Sequence, residues 1–228
     1  MTVLWRARER LGEDGEVHHD ASLADLYYAS SHGIGADSTI PVIFELVRFV
    51  KPEICVIIGS GDGLIPRVVR EAQIASGKVS GRTYLIDRGE TMGAMPHRIH
   101  DPKSVFRTFY PEILVMKMCS VPQGIDDLRQ RERKIDILWI DGDHSYEGSL
   151  QDFTNYSPLL SDEGLIFMHD TAPNGFGSTA QPRWCGVHET IRVIKTHYHD
   201  TFEMLNFPPT QQLRLGTGFA IIKKTLSI

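Results

Sequence analysis

The sequence predicts an α/β domain built on a doubly wound, mostly parallel sheet of seven strands with the last strand antiparallel. Three observations carry this reading. Short apolar runs alternate with amphipathic segments from residue 38 onward, the pattern of βα units with helices on both faces of one sheet. The runs are continuously apolar, as in Ile54–Ile58 and Ile135–Ile140, which suits strands covered on both sides. The last two runs, Phe202–Phe207 and Gly218–Lys223, are joined by a stretch too short for a helical crossover, so they are read as antiparallel.

Residues 1–37 are polar and mixed, with a Gly-containing stretch over 30–37, and are read as an N-terminal extension or lid. The domain proper then covers 38–228. Ser38 or Thr39 caps a first helix with Pro41 in its first turn. Its apolar positions are Val42, Ile43, Leu46, Val47 and Phe49, and Lys51-Pro52 ends it. Ile54–Ile58 is the first strand, 59–63 a glycine-rich turn, and 64–75 a helix. Thr83–Ile86 is the second strand, ending at Asp87. Glu112–Met118 is the third, ending near Ser120 and followed by a charged helix over 122–132. Ile135–Ile140 is the fourth and ends at Asp141. A helix over Glu147–Leu160 turns Leu150, Phe153 and Leu159 inward. Gly164–Met168 is the fifth strand and ends at His169-Asp170. A loop over 171–185 and a helix over 186–199 lead to the final strand pair.

Composition excludes several classes. The 228 residues are 41% apolar and 23% charged, ordinary for a globular chain with one core. No apolar stretch approaches the ~20 residues a membrane helix needs. Arg6, Arg8 and Arg10 are not followed by the apolar run of a secretory signal. Cys55, Cys119 and Cys185 are scattered and odd in number, which argues against a disulfide framework and for a reducing, cytoplasmic home. Lys and Arg total 24 against 29 Asp and Glu, a balance that speaks against a nucleic-acid partner.

Ligands of such sheets bind at the carboxyl ends of the strands, and Asp87, Ser120, Asp141, His169 and Asp170 stand there. Gly59-Ser60-Gly61-Asp62-Gly63 follows the first strand. Glycines let the backbone turn sharply and approach a ligand, and the next helix offers N–H groups to a polar or anionic one. The dinucleotide fingerprint would need glycine at position 64, where this chain has Leu64. The GxGxG spacing argues instead for the loop that holds S-adenosylmethionine, with a plain tight turn as the alternative. Asp87 lies 24 residues beyond Gly63, where a carboxylate can accept both ribose hydroxyls or pair with Arg82 or Arg88. Ser120 stands where a side chain can meet an adenine edge, or is a simple turn serine.

The segment Asp141-Gly142-Asp143-His144-Ser145-Tyr146-Glu147 ends a bulky apolar strand in polar groups. Asp141 can reach a metal or the cofactor, and His144 can act as a base near neutral pH. Asp141 and Asp170 converge from neighbouring strand ends, and two carboxylates suit a hard cation such as Mg²⁺. Taken singly, each of these residues can also be a helix cap or a satisfied loop residue. No HExxH, GxSxG or P-loop motif occurs. The pairs His18-His19 and His197/His199 read as surface residues, and Arg129–Lys134 as a solvated helix end. Trp139 reads as core, and Trp184 as a candidate substrate contact.

The segments IIGSGDG, LID, IDILWIDGDHSYEGSLQDF and GLIFMHDT resemble class I S-adenosylmethionine-dependent methyltransferases over about residues 40–223. DGDHSY and HDT are similar to the bacterial small-molecule and sugar O-methyltransferases of the macrocin and cephalosporin-cluster type. The resemblance implies a Rossmann-like methyltransferase fold. It places Gly59, Ser60, Gly61 and Gly63 at the methionine end of S-adenosylmethionine, Asp87 on the ribose and Ser120 near the adenine. It places Mg²⁺ at Asp141, which also borders the cofactor, and at the pair ending the fifth strand, and it makes His144 the base. Two departures stand out. Ile57 occupies a position where many members carry an acidic residue. His169 is a nitrogen donor that suits Mg²⁺ poorly, so it is read as a second base, with Asp141 and Asp170 left as the metal ligands.

The expected reaction is O-methylation of a hydroxyl on a small polar molecule, a sugar or natural-product intermediate. A metal-independent N- or O-methyltransferase and a non-catalytic scaffold with the same fold remain as alternatives. The expected partner is the hydroxyl acceptor, with no nucleic acid and no membrane. Homo-oligomers are common in this branch, and the N-terminal segment could mediate one.

Overall fold

The computed structural model describes residues 10–11, 17–18, 36–59, 63–89, 99–100, 102, 105–173, 186–207 and 218–225. The continuously apolar runs become parallel strands: Ile54–Ile58 (β1), Arg82–Asp87 (β2), Leu114–Lys117 (β3), Ile135–Ile140 (β4) and Leu160–His169 (β5). Phe202–Phe207 (β6) and Phe219–Lys224 (β7) complete one seven-stranded sheet of order β3-β2-β1-β4-β5-β7-β6, with β7 antiparallel to both neighbours. This is the doubly wound sheet with an antiparallel last strand that the sequence predicts. Arg10–Leu11 and Val17–His18 form a separate short antiparallel ladder.

Residue period along the strands divides the core in two. Cys55, Ile57, Leu85, Ile137, Trp139 and Phe167 face helices Ala36–Val50 (α1) and Leu64–Ala75 (α2). Between β2 and β3 lies a short helix, Val105–Phe109 (α3), which the sequence reading leaves unassigned. Val56, Ile58, Ile86, Leu138, Ile140 and Met168 face Ile125–Arg131 (α4), Tyr146–Tyr156 (α5) and Gly186–His197 (α6). Burial on both faces explains why these strands read as unbroken apolar runs. Fully burying side chains such as Trp139 or Phe153 stabilises by about 1.5–3 kcal/mol each.

Some local expectations change. Helix α1 begins at Ala36, before the expected Ser38 or Thr39 cap, and Pro41 lies inside it. The proline removes one bond near the helix start, where intrahelical bonds are fewest. The buried stripe is Ile40, Ile43, Phe44 and Val47, with i, i+3, i+4, i+7 spacing, while Val42 and Phe49 are exposed. Helix α5 stops at Tyr156, a turn over Ser157–Leu159 follows, and β5 begins at Leu160. Its buried residues are Ser149, Asp152, Phe153 and Tyr156, so Leu150 is only half-buried. Within Arg129–Lys134, Glu132 is buried rather than solvated: it accepts from Tyr84 Oη at 2.5 Å and Arg82 Nη2 at 2.8 Å.

The far end of the sheet is fastened by one carboxylate. Asp136 Oδ2 accepts from the Glu53 and Ile54 backbone at 2.9 and 3.0 Å, and its Oδ1 accepts from Ser161 Oγ at 2.8 Å. That ties the start of β1 to β4 and β5. Among the described residues no helix is long and apolar enough to cross a membrane.

Candidate functional site

Register brings the polar strand ends to one level. Asp87 ends β2 and His169 ends β5, while Asp141 follows β4 directly. The Asp141 backbone donates to the Ile58 carbonyl at 2.9 Å, and Gly59 donates to the Ile86 carbonyl at 3.0 Å. The ladder therefore holds up to the residues where the sequence turns polar. Gly59 has φ +86°, and a Cβ there would overlap the Asp141 carbonyl. The close approach of two chain segments thus demands glycine at this position even without a ligand. Gly63, at φ +80°, caps α2, and a Cβ there would lie 3.1 Å from the Phe106 ring. Ser60 and Gly61 lie outside the described residues, as do Trp184 and most of the expected 171–185 loop.

The turn after β4 divides its polar groups between two tasks. Asp143 Oδ1 accepts from the Ser145 backbone at 2.9 Å, and Ser145 Oγ accepts from the Gly148 backbone at 3.0 Å as the N-cap of α5. These two residues build the turn. Asp141 and His144 instead face the end of β5, with His144 Nε2 3.1 Å from Asp141 Oδ1 and 3.3 Å from Asp170 Oδ2. His169 Nδ1 lies 3.2 Å from both Asp141 Oδ1 and Asp170 Oδ1, and its ring stacks on Trp139 at 5.9 Å between centroids. Asp170 has a left-handed backbone, φ 58°, a costly conformation for a residue with a side chain. That turn places its carboxyl against both histidines.

The electrostatics follow from burial and mutual charge. Burial works against the charge on His169, but the Asp141 and Asp170 carboxylates outweigh it and raise the imidazole to about 9. For His144 burial is again opposed by the hydrogen bond to Asp141 and by both carboxylates, and the net direction is upward. Burial would raise Asp141, but the His169 charge and the hydrogen bonds from both histidines hold it well below the ordinary carboxylate range. Each carboxylate thus favours the protonated form of the rings beside it. The ligand atoms of Asp141, His144 and Asp170 lie within 4.8 Å of one another, a spacing that a divalent ion can bridge. Asp170 Oδ1 is buried and lies 3.2 Å from His169 Nδ1.

The cofactor-side residues are placed at the neighbouring strand ends. Asp87 Oδ1 accepts from the Gly89 backbone at 2.6 Å and lies 3.7 Å from His100 Nε2. Ser120 begins the turn after β3, where Tyr156 Oη donates to its carbonyl at 2.7 Å. Arg82, an expected alternative partner of Asp87, lies 2.8 Å from Glu132 Oε2 through its Nη2. His197 and His199 are exposed and belong to no candidate metal group among the described residues. The sequence reading missed His100 and also Asp152, a buried carboxyl on α5. A histidine in an unassigned segment carries no signal. Asp152 is spaced with Ser149, Phe153 and Tyr156 on one helical stripe, and that spacing is the signal that could have found it.

Residues 56–171 match the family described as Methyltransferase domain. No curated protein matches the chain. Solved structures do. A Staphylococcus aureus protein provisionally named a caffeoyl-CoA O-methyltransferase superposes with TM-score 0.60 at 18% identity, over 88% of this chain and 92% of that one. An O-methyltransferase from Bacillus cereus in complex with SAH gives TM-score 0.60 at 13% identity, over 99% and 100%. The O-methyltransferase TomG of Streptomyces achromogenes, involved in tomaymycin synthesis and bound to SAM, gives 0.58 at 14%, over 92% of each chain. At these identities the likeness is one of fold.

Proposed function

The chain belongs to the methyltransferase domain family, and from that premise we propose that it is an S-adenosylmethionine-dependent O-methyltransferase. The acceptor is a hydroxyl on a small polar molecule, a sugar or natural-product intermediate. The observation that carries this reading is the group of Asp141, His144, His169 and Asp170 at the strand ends beside the Gly59 turn. It joins a base to two carboxylates next to the glycine-rich turn, an arrangement suited to deprotonating a hydroxyl in front of a methyl donor. SAH and SAM in the B. cereus and S. achromogenes structures support the choice of donor.

S-Adenosylmethionine supplies the methyl on a sulfonium, which leaves with the C–S electron pair as the new C–O bond forms. The protein has therefore mainly to position and to deprotonate. Gly59 lets the backbone turn closely under the donor, and Asp87 accepts the ribose hydroxyls. His144 Nε2 takes the acceptor proton. His169, held against Trp139, positions Asp141 and Asp170; its imidazole, raised to about 9, accepts a proton only above neutral pH.

The donor set fits a divalent cation at Asp141 and Asp170, since ligand atoms of both carboxylates and of His144 lie within 4.8 Å of one another. Mg²⁺ bound there would supply positive charge that lowers the acceptor hydroxyl's pKa. The same cluster supports a second reading without metal, because His144 and His169 already lie against both carboxylates. Chelation separates the two: activity that survives exhaustive EDTA favours the metal-independent reading.

The test uses methyl-labelled S-adenosylmethionine and a panel of sugar and natural-product hydroxyl acceptors. His144→Ala should reduce methyl transfer by about 10²–10⁴ with little change in cofactor affinity. Full activity in that variant would remove His144 as the base.

A further inference from the structure

Thr171 directly follows Asp170 and is 1% exposed. Asp170 sits between two contacts with the last strand. His169 is still in register with Phe219, and the Thr171 backbone donates to the Gly218 carbonyl at 3.4 Å. Between them Asp170 takes its left-handed φ of 58°. A residue with a side chain persists in such a conformation only where its surroundings over-determine it.

The other polar groups of Thr171 supply that constraint. Its Oγ1 donates to Asn206 Oδ1 on β6 at 2.9 Å. Its carbonyl lies 3.2 Å from His188 Nδ1 in the first turn of α6. A carbonyl only accepts, so that ring nitrogen carries the proton. The N–H, the hydroxyl and the carbonyl of one residue are thus taken by three different elements. Gly218 tightens the arrangement: its φ is +77°, and a Cβ there would lie 2.9 Å from Thr171 Oγ1 and 3.3 Å from the Ala172 nitrogen. The other half of the cluster is braced by the same helix. A Cβ on Gly186, which begins α6, would overlap the Ser145 and Tyr146 backbone just after His144. Helix α6 therefore spans both turns that carry the site.

We propose that Thr171 is a positioning residue for the divalent cation. Through Asn206, Gly218 and His188 it fixes the turn that aims the Asp170 carboxyl at Asp141 and His144. The inference rests on the cation reading given above. Asp170 Oδ2 lies 3.3 Å from His144 Nε2, and turning the Asp170 backbone would carry its carboxyl out of that group. Thr171 contributes no atom to the set of Asp141, His144 and Asp170, so it acts through the Asp170 backbone alone. Groups that orient metal ligands from behind commonly set affinity by about 10–100-fold.

The test is Mn²⁺ titration of the whole protein, read by electron paramagnetic resonance, beside calorimetric titration with S-adenosylhomocysteine. Thr171→Val keeps the shape and removes the hydroxyl. Asn206→Ala removes its partner, an exposed residue whose loss leaves no buried amide unpaired. Each should weaken Mn²⁺ binding about tenfold, while Thr171→Ser, which keeps the hydroxyl, stays within about threefold of the wild type. The double variant should be no weaker than either single one, since both cut the same bond. S-adenosylhomocysteine binding should not change. Should Thr171→Val fail to fold, Asn206→Ala decides. Unchanged Mn²⁺ affinity in these variants overturns the role of Thr171 and leaves the cation site standing. Equal weakening of Mn²⁺ and S-adenosylhomocysteine, or a Thr171→Ser variant as weak as Thr171→Val, marks a merely structural residue and also overturns it. A wild type that binds S-adenosylhomocysteine but no Mn²⁺ overturns this inference together with the cation reading, and leaves the methyltransferase reading intact.

Discussion

Replacing Asp152 by Asn should change the pH dependence of stability in a calculable way. In the native protein burial moves this carboxyl from an ordinary 3.8 to about 7. In the unfolded chain it ionises near pH 4. Between these values the native state therefore holds a proton that the unfolded state has lost. The group's contribution is fully present below pH 4, falls as pH rises, and levels off above pH 7. At about 1.4 kcal/mol per tenfold change the loss is on the order of 4 kcal/mol. An amide carries no such penalty. Urea unfolding of both proteins from pH 4 to 8 measures the difference directly. Asp152→Asn should match the wild type near pH 4 and exceed it by several kcal/mol at pH 8. Parallel curves over the whole range would show that the carboxyl is not held protonated, and would refute the burial argument.

Gly59→Ala should destabilise by about 3 kcal/mol or more, since the new Cβ meets the Asp141 carbonyl at a left-handed φ of +86°. Unfolding midpoints check this, and an unchanged midpoint would mean that β1 and β4 can separate freely at their ends. Asp170→Ala should abolish divalent binding, read by the electron paramagnetic resonance of Mn²⁺ as the probe for the Mg²⁺ site. Unaltered Mn²⁺ binding in that variant would remove Asp170 from the ligand set.

The legible part of this fold is the part governed by burial on both faces. β1 and β4 coincide with their apolar runs because every residue along them meets a helix layer or a neighbouring strand. α2 is also bounded as expected, with Gly63 at one end and the Ser76-Gly77 turn at the other. The start of α1 was less legible, because a proline near a helix start marks no unique first residue. α5 was misread at its inner face: Ser149 and Asp152 are buried polar residues, and hydropathy alone assigns them outward. At the candidate site, polar residues following apolar strands pointed to Asp87, Asp141, His144, His169 and Asp170. Their mutual distances, and the left-handed turn that seats Asp170, depend on the pairing of β4 with β5 and are not written in any local pattern. Asp143 shows the opposite case, a carboxylate in the same motif that serves the turn through the Ser145 backbone.

In this reading the strand-end site takes S-adenosylmethionine. Titration of the purified protein with S-adenosylhomocysteine in a calorimeter, with and without Mg²⁺, tests it most directly. Micromolar binding, about −8 kcal/mol, with one ligand per chain is the expected result. An absence of binding at millimolar ligand under both conditions would contradict it.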